Sequence, residues 1–136
     1  MKNLCVVLVT ALMCISCKKA IQQEELNLIT QEITSGQWKV SSYTIGSNDS
    51  TVLFSGYTFK FNTDNTVNAN FNGSLKQTGN WSGNINNQTV TSFFSNPTHP
   101  LDLLNGTWQV ISSSDTSVEA QENVSGETRK LRLDKI

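Results

Sequence analysis

The sequence predicts an all-β protein, an eight-stranded antiparallel up-and-down barrel preceded by a short N-terminal helix or tether. From Gly36 onward, apolar and polar residues alternate with a period of two, which is typical of strands with one buried face. Turn-forming residues recur between these segments. All three cysteines lie within the first 17 residues, so the domain must be stabilised by its packed core, without disulfides.

Length and charge limit the classes of function. A chain of 136 residues accommodates one ordinary domain. Its formal net charge is -1 and its few cationic residues are scattered, so we expect no nucleic-acid partner. Charged residues make up only 15% of the chain, and Asn, Ser, Thr and Gly supply most of its polarity. This composition favours turns and solvent-facing strand positions over helices.

The amino terminus has the pattern of a secretion signal. Lys2 precedes an uncharged run from Leu4 to Ile15, which is shorter than the roughly 20 residues of a membrane-spanning helix. Ser16-Cys17 then resembles the lipobox of bacterial prolipoproteins, although Cys14 stands where that family usually has Leu. The resemblance implies that residues 1–16 are removed and that the Cys17 thiol carries a diacylglycerol group. Acyl chains such as palmitate would then anchor the protein in a membrane.

Residues 17–35 would connect this lipidated cysteine to the domain. Leu26, Ile29 and Ile33 fall at helical spacing among good helix formers. The segment is therefore predicted to be a short helix with its apolar stripe over one end of the domain, or else a flexible tether.

The domain itself spans residues 36–136. Its eight predicted strands are 37–45, 57–61, 66–72, 75–82, 88–94, 107–112, 117–121 and 129–134. Asn72-Gly73 predicts a type I′ hairpin, because both central residues tolerate a positive φ. Pro97 and Pro100 exclude a central strand between the fifth and sixth strands, where 101–104 fits one helical turn. Mostly short connections favour a closed barrel over a two-sheet sandwich.

Several segments resemble the small bacterial lipocalin-like lipoproteins. Gly-x-Trp triplets begin at Gly36, Gly79 and Gly106, and the runs TVLFSGYTFKF at 51–61, LLNGTWQVI at 103–111 and LRLDKI at 131–136 are similar to that group. The resemblance implies a calycin-type barrel with Trp38 closing its base. It also implies a basic residue of the last strand packed over Trp38, either Arg132 or Arg129. It implies no single ligand.

Parity along the strands identifies candidate residues for a ligand cavity. Tyr57, Phe59 and Phe61 share one face of the second predicted strand, and Val67, Ala69 and Phe71 share one face of the third, so both sets are predicted to point into the lumen. The candidate ligand-binding residues are Trp38, Tyr57, Phe59, Phe61, Ala69, Phe71, Trp81 and Trp108. An eight-stranded barrel is wide enough for a small ligand or for a filled core, and the sequence leaves both open.

Catalytic and metal-binding patterns are weak. The one histidine, His99, lies between two prolines and is predicted to be a surface residue of a loop. With Cys17 acylated, no Cys–His nucleophile remains. Asn62-x-Asp64-x-Thr66 faintly resembles a calcium loop, but it lacks the further acidic ligands and is predicted to be a hairpin turn. We therefore expect neither an enzyme nor a metal or cofactor site.

Together these features predict a membrane-anchored lipocalin-like lipoprotein of the bacterial cell envelope, a monomer that binds a small apolar or amphipathic molecule inside the barrel. The alternative is a non-enzymatic structural or protein-interaction lipoprotein with a filled barrel core. Lys18-Lys19, rather than acidic residues, follow Cys17. This favours the periplasmic face of the outer membrane, with surface exposure as the alternative.

Overall fold

A computed structural model describes residues 21, 23–24 and 27–136, and it has the predicted architecture. Residues 27–34 form a helix, α1. The strands are β1 (Trp38–Ile45), β2 (Asn48–Asp49), β3 (Tyr57–Phe61), β4 (Thr66–Phe71), β5 (Ser74–Asn84), β6 (Thr89–Phe93), β7 (Gly106–Ser113), β8 (Ser117–Val124) and β9 (Glu127–Lys135). The eight predicted strands correspond to β1 and β3 to β9, and β2 is a two-residue addition that pairs only with the end of β1.

The strands close into a barrel. From β3 to β9 each strand pairs antiparallel with the next one along the chain, and β1 pairs antiparallel with both β3 and β9. The contact between β1 and β3 is one registered pair, Trp38 with Phe59, and it closes the sheet at the beginning of β1. The predicted antiparallel up-and-down barrel is therefore confirmed.

The hairpin between β4 and β5 has the predicted turn chemistry. Asn72 and Gly73 have φ values of 49° and 81°, and Phe71 pairs directly with Ser74. Two consecutive residues with positive φ match the right-handed twist of the flanking strands. The Asn-Gly dipeptide thus fixes the register next to the turn, and the register of β4 against β5 shifts between Ala69 and Asn70.

Different elements cover the two ends of the barrel. At the end where β1 begins, called the helix end below, Ile33 of α1 is buried and its carbonyl accepts a hydrogen bond of 2.9 Å from Trp38 Nε1. At the opposite end, the turn end, 3-10 turns at Thr51–Phe54 and Leu101–Leu104 bury Phe54 and Leu101 in the core. The predicted helical turn at 101–104 is confirmed in this form.

The basic residue over Trp38 is Lys135, not Arg132 or Arg129. Lys135 Nζ lies 5.0 Å from the centre of the Trp38 ring, within range of a cation–π interaction. Strand register explains the difference, because Trp38 pairs directly with Lys135, whereas Arg132 pairs with Ser42 and Arg129 with Ile45. The family resemblance predicted this type of contact correctly, but the two basic residues proposed for it were wrong.

Candidate ligand-binding site

The predicted ligand-binding residues do not form one site. Phe59, Phe61 and Trp108 line an internal cavity of the barrel. The remaining residues of the predicted set that are buried lie outside its wall, and they are Trp38, Tyr57, Ala69 and Trp81.

Phe71 departs from its predicted orientation towards the lumen. It is 41% exposed at the last position of β4, where its ring packs against Tyr57 at a centroid distance of 5.0 Å. Depth in the barrel does not explain this exposure, because Phe71 pairs directly with Tyr57, which is buried. The register of β4 against β5 shifts between Ala69 and Asn70, and the Asn72-Gly73 turn begins directly after Phe71. Alternation therefore predicts burial only as far as Ala69.

The internal cavity has a volume of about 60 Å³. Its wall is apolar apart from Ser92 and consists of Ile33, Phe59, Phe61, Val67, Val90, Ser92, Phe94, Leu104, Trp108, Val110, Val118, Ala120, Leu131 and Leu133. Ligand pockets typically measure about 300–1,000 Å³, so this space holds no more than the end of a molecule. Most of the lumen is filled by side chains.

A larger groove of about 600 Å³ lies at the helix end, between α1 and the tips of the β5–β6 and β7–β8 hairpins. Its lining residues are Leu28, Ile29, Ile33, Gly83, Asn84, Ile85, Gln88, Thr89, Val90, Val110, Ile111, Ser112, Ser113 and Val118. Ile33, Val90, Val110 and Val118 also line the internal cavity. The groove therefore lies directly outside the cavity, with a wall of apolar side chains shared by both.

The barrel holds the carboxyl-terminal end of α1 by hydrogen bonds to carbonyl groups that the helix itself leaves without partners. Lys60 Nζ donates to Thr34 O at 2.7 Å, and Lys135 Nζ donates to Glu32 O at 3.1 Å. Together with the Trp38–Ile33 bond, these contacts fix the position from which α1 crosses the barrel mouth. One turn earlier in α1, Leu28 and Ile29 remain 64% and 50% exposed and form one wall of the groove.

The apolar stripe predicted for the N-terminal helix indicated only part of this groove. Ile29 and Ile33 lie over one end of the barrel as predicted, whereas Leu26 falls outside the described residues. The apolar pattern did not single out Ile85, which follows the end of β5, or Ile111, which is exposed within β7. Their side chains become part of a site only because α1 runs past the β5–β6 and β7–β8 hairpins.

The described residues that line the groove carry no charge. None of these described residues is acidic or basic, and the polar ones are Asn84, Gln88, Thr89, Ser112 and Ser113. Amide and hydroxyl groups can donate and accept hydrogen bonds without adding net charge. The site therefore combines apolar walls with neutral polar groups.

A polar cluster lies at the turn end. Glu122 is only 8% exposed, and its carboxylate is paired with Arg129 Nη1 at 3.5 Å. Burial raises the pKa of Glu122, and the Arg129 charge opposes that rise. Gly106 is required beside it, because a Cβ atom at this position would overlap Glu122 Oε2 and its φ is 145°. Arg129 Nε is buried without a hydrogen-bond partner.

The loop residues considered for chemistry have local partners. His99 Nδ1 lies 3.0 Å from Asp102 Oδ1 at the surface, and His99 is more than half exposed, as predicted. Asp64 Oδ1 accepts hydrogen bonds from the Thr66 amide and hydroxyl, which hold the pKa of Asp64 below its usual value. The predicted hairpin turn at 62–66 is thus present. Within the described part of the chain, no three His, Cys, Asp or Glu side chains are grouped as metal ligands.

No helix among the described residues is both long and apolar enough to cross a membrane.

Comparison with known proteins supports the fold. Neither a protein-family model nor a curated protein matches the chain. Among solved structures, the chain is similar to a DUF4847 family protein from Bacteroides vulgatus ATCC 8482, with a TM-score of 0.57 and 14% sequence identity. The match covers 78% of this chain and 96% of that one. At this identity the similarity shows the fold alone, which is consistent with a calycin-like barrel.

Proposed function

We propose that the protein binds one small apolar or amphipathic molecule at the helix end of the barrel. The observation that supports this most directly is the groove of about 600 Å³, whose size is typical of ligand sites. The sequence predicts a ligand inside the lumen. We instead place most of the ligand in the groove, because the internal cavity of about 60 Å³ can take only one end of the molecule.

Exposed apolar side chains around the groove favour an apolar occupant. Leu28, Ile29 and Ile111 are 64%, 50% and 53% exposed, and all three line the groove. Covering such side chains gains roughly 25 cal/mol for each Å² of apolar surface removed from water. A ligand in the groove would gain this energy without any change in the barrel.

Replacing Ile29 with glutamate should abolish ligand binding without unfolding the protein. The side chain is half exposed, so the substitution costs little stability, but it places a charge in an otherwise uncharged apolar wall. Titration with the neutral dye Nile red would measure binding, using the mature chain from residue 17 with Cys17→Ala, which lacks both the apolar signal of residues 1–16 and the acyl chains. We expect at least about a tenfold loss of affinity, which is about 1.4 kcal/mol.

Val52→Glu is the matched control. Val52 is 78% exposed in the 3-10 turn at the opposite end of the barrel. The same chemical change at that end should therefore leave dye binding in the groove unaltered. Equal losses in both variants would rule out the groove as the site.

We also propose that Cys17 anchors the protein to a membrane of the cell envelope, at the periplasmic face of the outer membrane. Cys17 lies outside the described residues, and the support for its acylation is the signal pattern. Ile21 is the first described residue, and the four residues from Cys17 span at most about 14 Å. An anchor at Cys17 would therefore keep the start of the helical segment near the membrane surface.

Cells grown with a fatty-acid analogue should label the wild-type protein and should not label Cys17→Ala. The thiol of Cys17 is the acceptor in the proposed modification, so the variant has no group to carry the label. Cys14→Ala is the control, because Met13 rather than a small residue precedes Cys14, and it should label normally. A Cys17→Ala protein that still labels and still pellets with membranes would contradict the proposal.

A second candidate function is a protein-interaction lipoprotein with a filled core. Its support is the largely filled lumen together with exposed apolar side chains at the turn end, where Val52, Leu53 and Phe71 are 78%, 38% and 41% exposed. Such side chains can mark a protein contact. Crosslinking in the native envelope would test it: a crosslinked partner lost in Val52→Glu but kept in Ile29→Glu supports this candidate, and unchanged crosslinks exclude it.

A further inference from the structure

We infer that the groove selects amphiphiles with an uncharged polar end, such as a monoacylglycerol, over fatty acids and other charged amphiphiles. This inference rests on the proposed function and names its ligand class. It follows from the chemistry of the groove and of the strands that surround it.

The part of the groove that the structure describes offers no opposite charge to an ionic head group. Its described lining residues are apolar or carry neutral amides and hydroxyls. An ion moved from water into such a site loses hydration without an ion-pair partner, which is costly. A hydroxyl or ester group loses less, because the amides and hydroxyls of the groove can replace its hydrogen bonds to water.

Strands β5, β6 and β7, which supply most of the hairpin side of the groove, reinforce this property. Between Asn65 and Ser113 the only acidic or basic residues, histidine aside, are Lys76 and Asp102. Both lie towards the turn end, since Lys76 is near the start of β5 and Asp102 is in the 3-10 turn. Strands β5, β6 and β7 are therefore almost free of charge, whereas β8 carries Glu119, whose carboxylate accepts a hydrogen bond from Ser112 Oγ at 3.3 Å. Glu119 is itself paired with Arg132 at 2.7 Å, so the two charges already compensate each other.

Among the described residues, the two lysines that contact the end of α1 are already engaged. Lys60 Nζ donates to Thr34 O and Gly36 O, and Lys135 Nζ donates to Glu32 O and Ser35 Oγ. Neither lysine lines the groove. Recruiting one of them to an anionic head group would break its bonds to the end of α1.

The arrangement also orients the ligand. Val90, Val110 and Val118 lie where the groove meets the internal cavity, so they would contact the apolar chain. Asn84 and Ser113 lie at the tips of the two hairpins, at the outer rim. The polar end of the ligand would hydrogen-bond at this rim.

Calorimetric titration with three amphiphiles of equal chain length tests the inference, each kept below its micelle concentration. The ligands are monododecanoylglycerol, dodecanoate and dodecyltrimethylammonium, and the protein is the mature chain from residue 17 with Cys17→Ala. We expect the neutral ligand to bind at least about tenfold more tightly than either ion. Dodecanoate binding as tight as that of monododecanoylglycerol would overturn the inference while leaving the groove as a site. Failure of all three to bind would overturn both.

A rim substitution sharpens the test. Ser113→Lys adds a cation at an exposed groove position and should raise the affinity for dodecanoate while leaving that for monododecanoylglycerol within about twofold. Gln88→Lys is a second variant for the same test, should the first fail to fold. Ser74→Lys, at the exposed start of β5 near the turn end, is the control and should change neither affinity. No gain for dodecanoate in either rim variant would count against the inference.

Discussion

Replacing Trp38 with alanine should lower the free energy of unfolding by about 3–5 kcal/mol, the range for truncating a large buried aromatic side chain. Trp38 is 1% exposed and pairs in register with both Phe59 and Lys135, so it lies where the first and last strands close the barrel. The substitution would also remove the donor to Ile33 O and the ring beneath Lys135. Urea unfolding followed by circular dichroism would measure the change.

Two further variants separate the parts of this effect. Trp38→Phe keeps a ring in the core but removes the Nε1 donor, so it should cost less than alanine and mainly loosen α1. Phe71→Ala is the control for removing an aromatic at the barrel rim, and because Phe71 is 41% exposed it should cost much less than Trp38→Ala. A loss below about 1 kcal/mol for Trp38→Ala would mean that Trp38 is not essential to the core.

The strand order and the turns of this fold were predictable, because they depend on local patterns. Alternation in β3 and β4 fixed which residues face inward along most of their length, and Asn72-Gly73 fixed a hairpin. The contact over Trp38 was not predictable from one sequence. Several basic residues occur in β9, and which of them meets Trp38 depends on the register in which the barrel closes.

The candidate site was less predictable than the fold. Aromatic residues in alternating positions suggested a lumen site, yet most of these rings fill the core, and the larger space lies outside it. The groove depends on the direction in which α1 leaves the barrel. That direction is set by Lys60, Lys135 and Trp38, which bind the end of the helix from three different strands. No local pattern carries this information.

Arg129→Ala should destabilise the protein by about 3 kcal/mol at neutral pH, the lower end of the range for breaking a buried ion pair. The Glu122 side chain is 7% exposed and the Arg129 side chain 22%, so some solvent reaches the pair. Removing the arginine leaves an ionised carboxylate buried beside Gly106 without its counter-charge. Chemical unfolding at neutral pH would measure the loss.

The pH dependence of this loss has a definite sign. Burial raises the pKa of Glu122 above its unfolded value, and loss of the Arg129 charge should raise that pKa further. Because the carboxyl pKa is higher in the folded protein than the unfolded value of about 4.3, proton binding by Glu122 favours the folded state at a pH below that value. This contribution to the free energy of unfolding is lost as the pH rises through the folded pKa. The cost of Arg129→Ala should therefore shrink at about pH 4, where Glu122 is largely protonated, and reach its full size at neutral pH.

Two controls assign this effect to the pair. Adding Glu122→Gln to Arg129→Ala should remove the extra pH dependence, because no titrating carboxyl remains at that position. Arg132→Ala breaks an exposed pair with Glu119 and should cost no more than about 1 kcal/mol, since the two side chains are 44% and 42% exposed. If Arg129→Ala cost the same at about pH 4 as at neutral pH, its role would be packing of the aliphatic stem rather than compensation of the buried Glu122 charge.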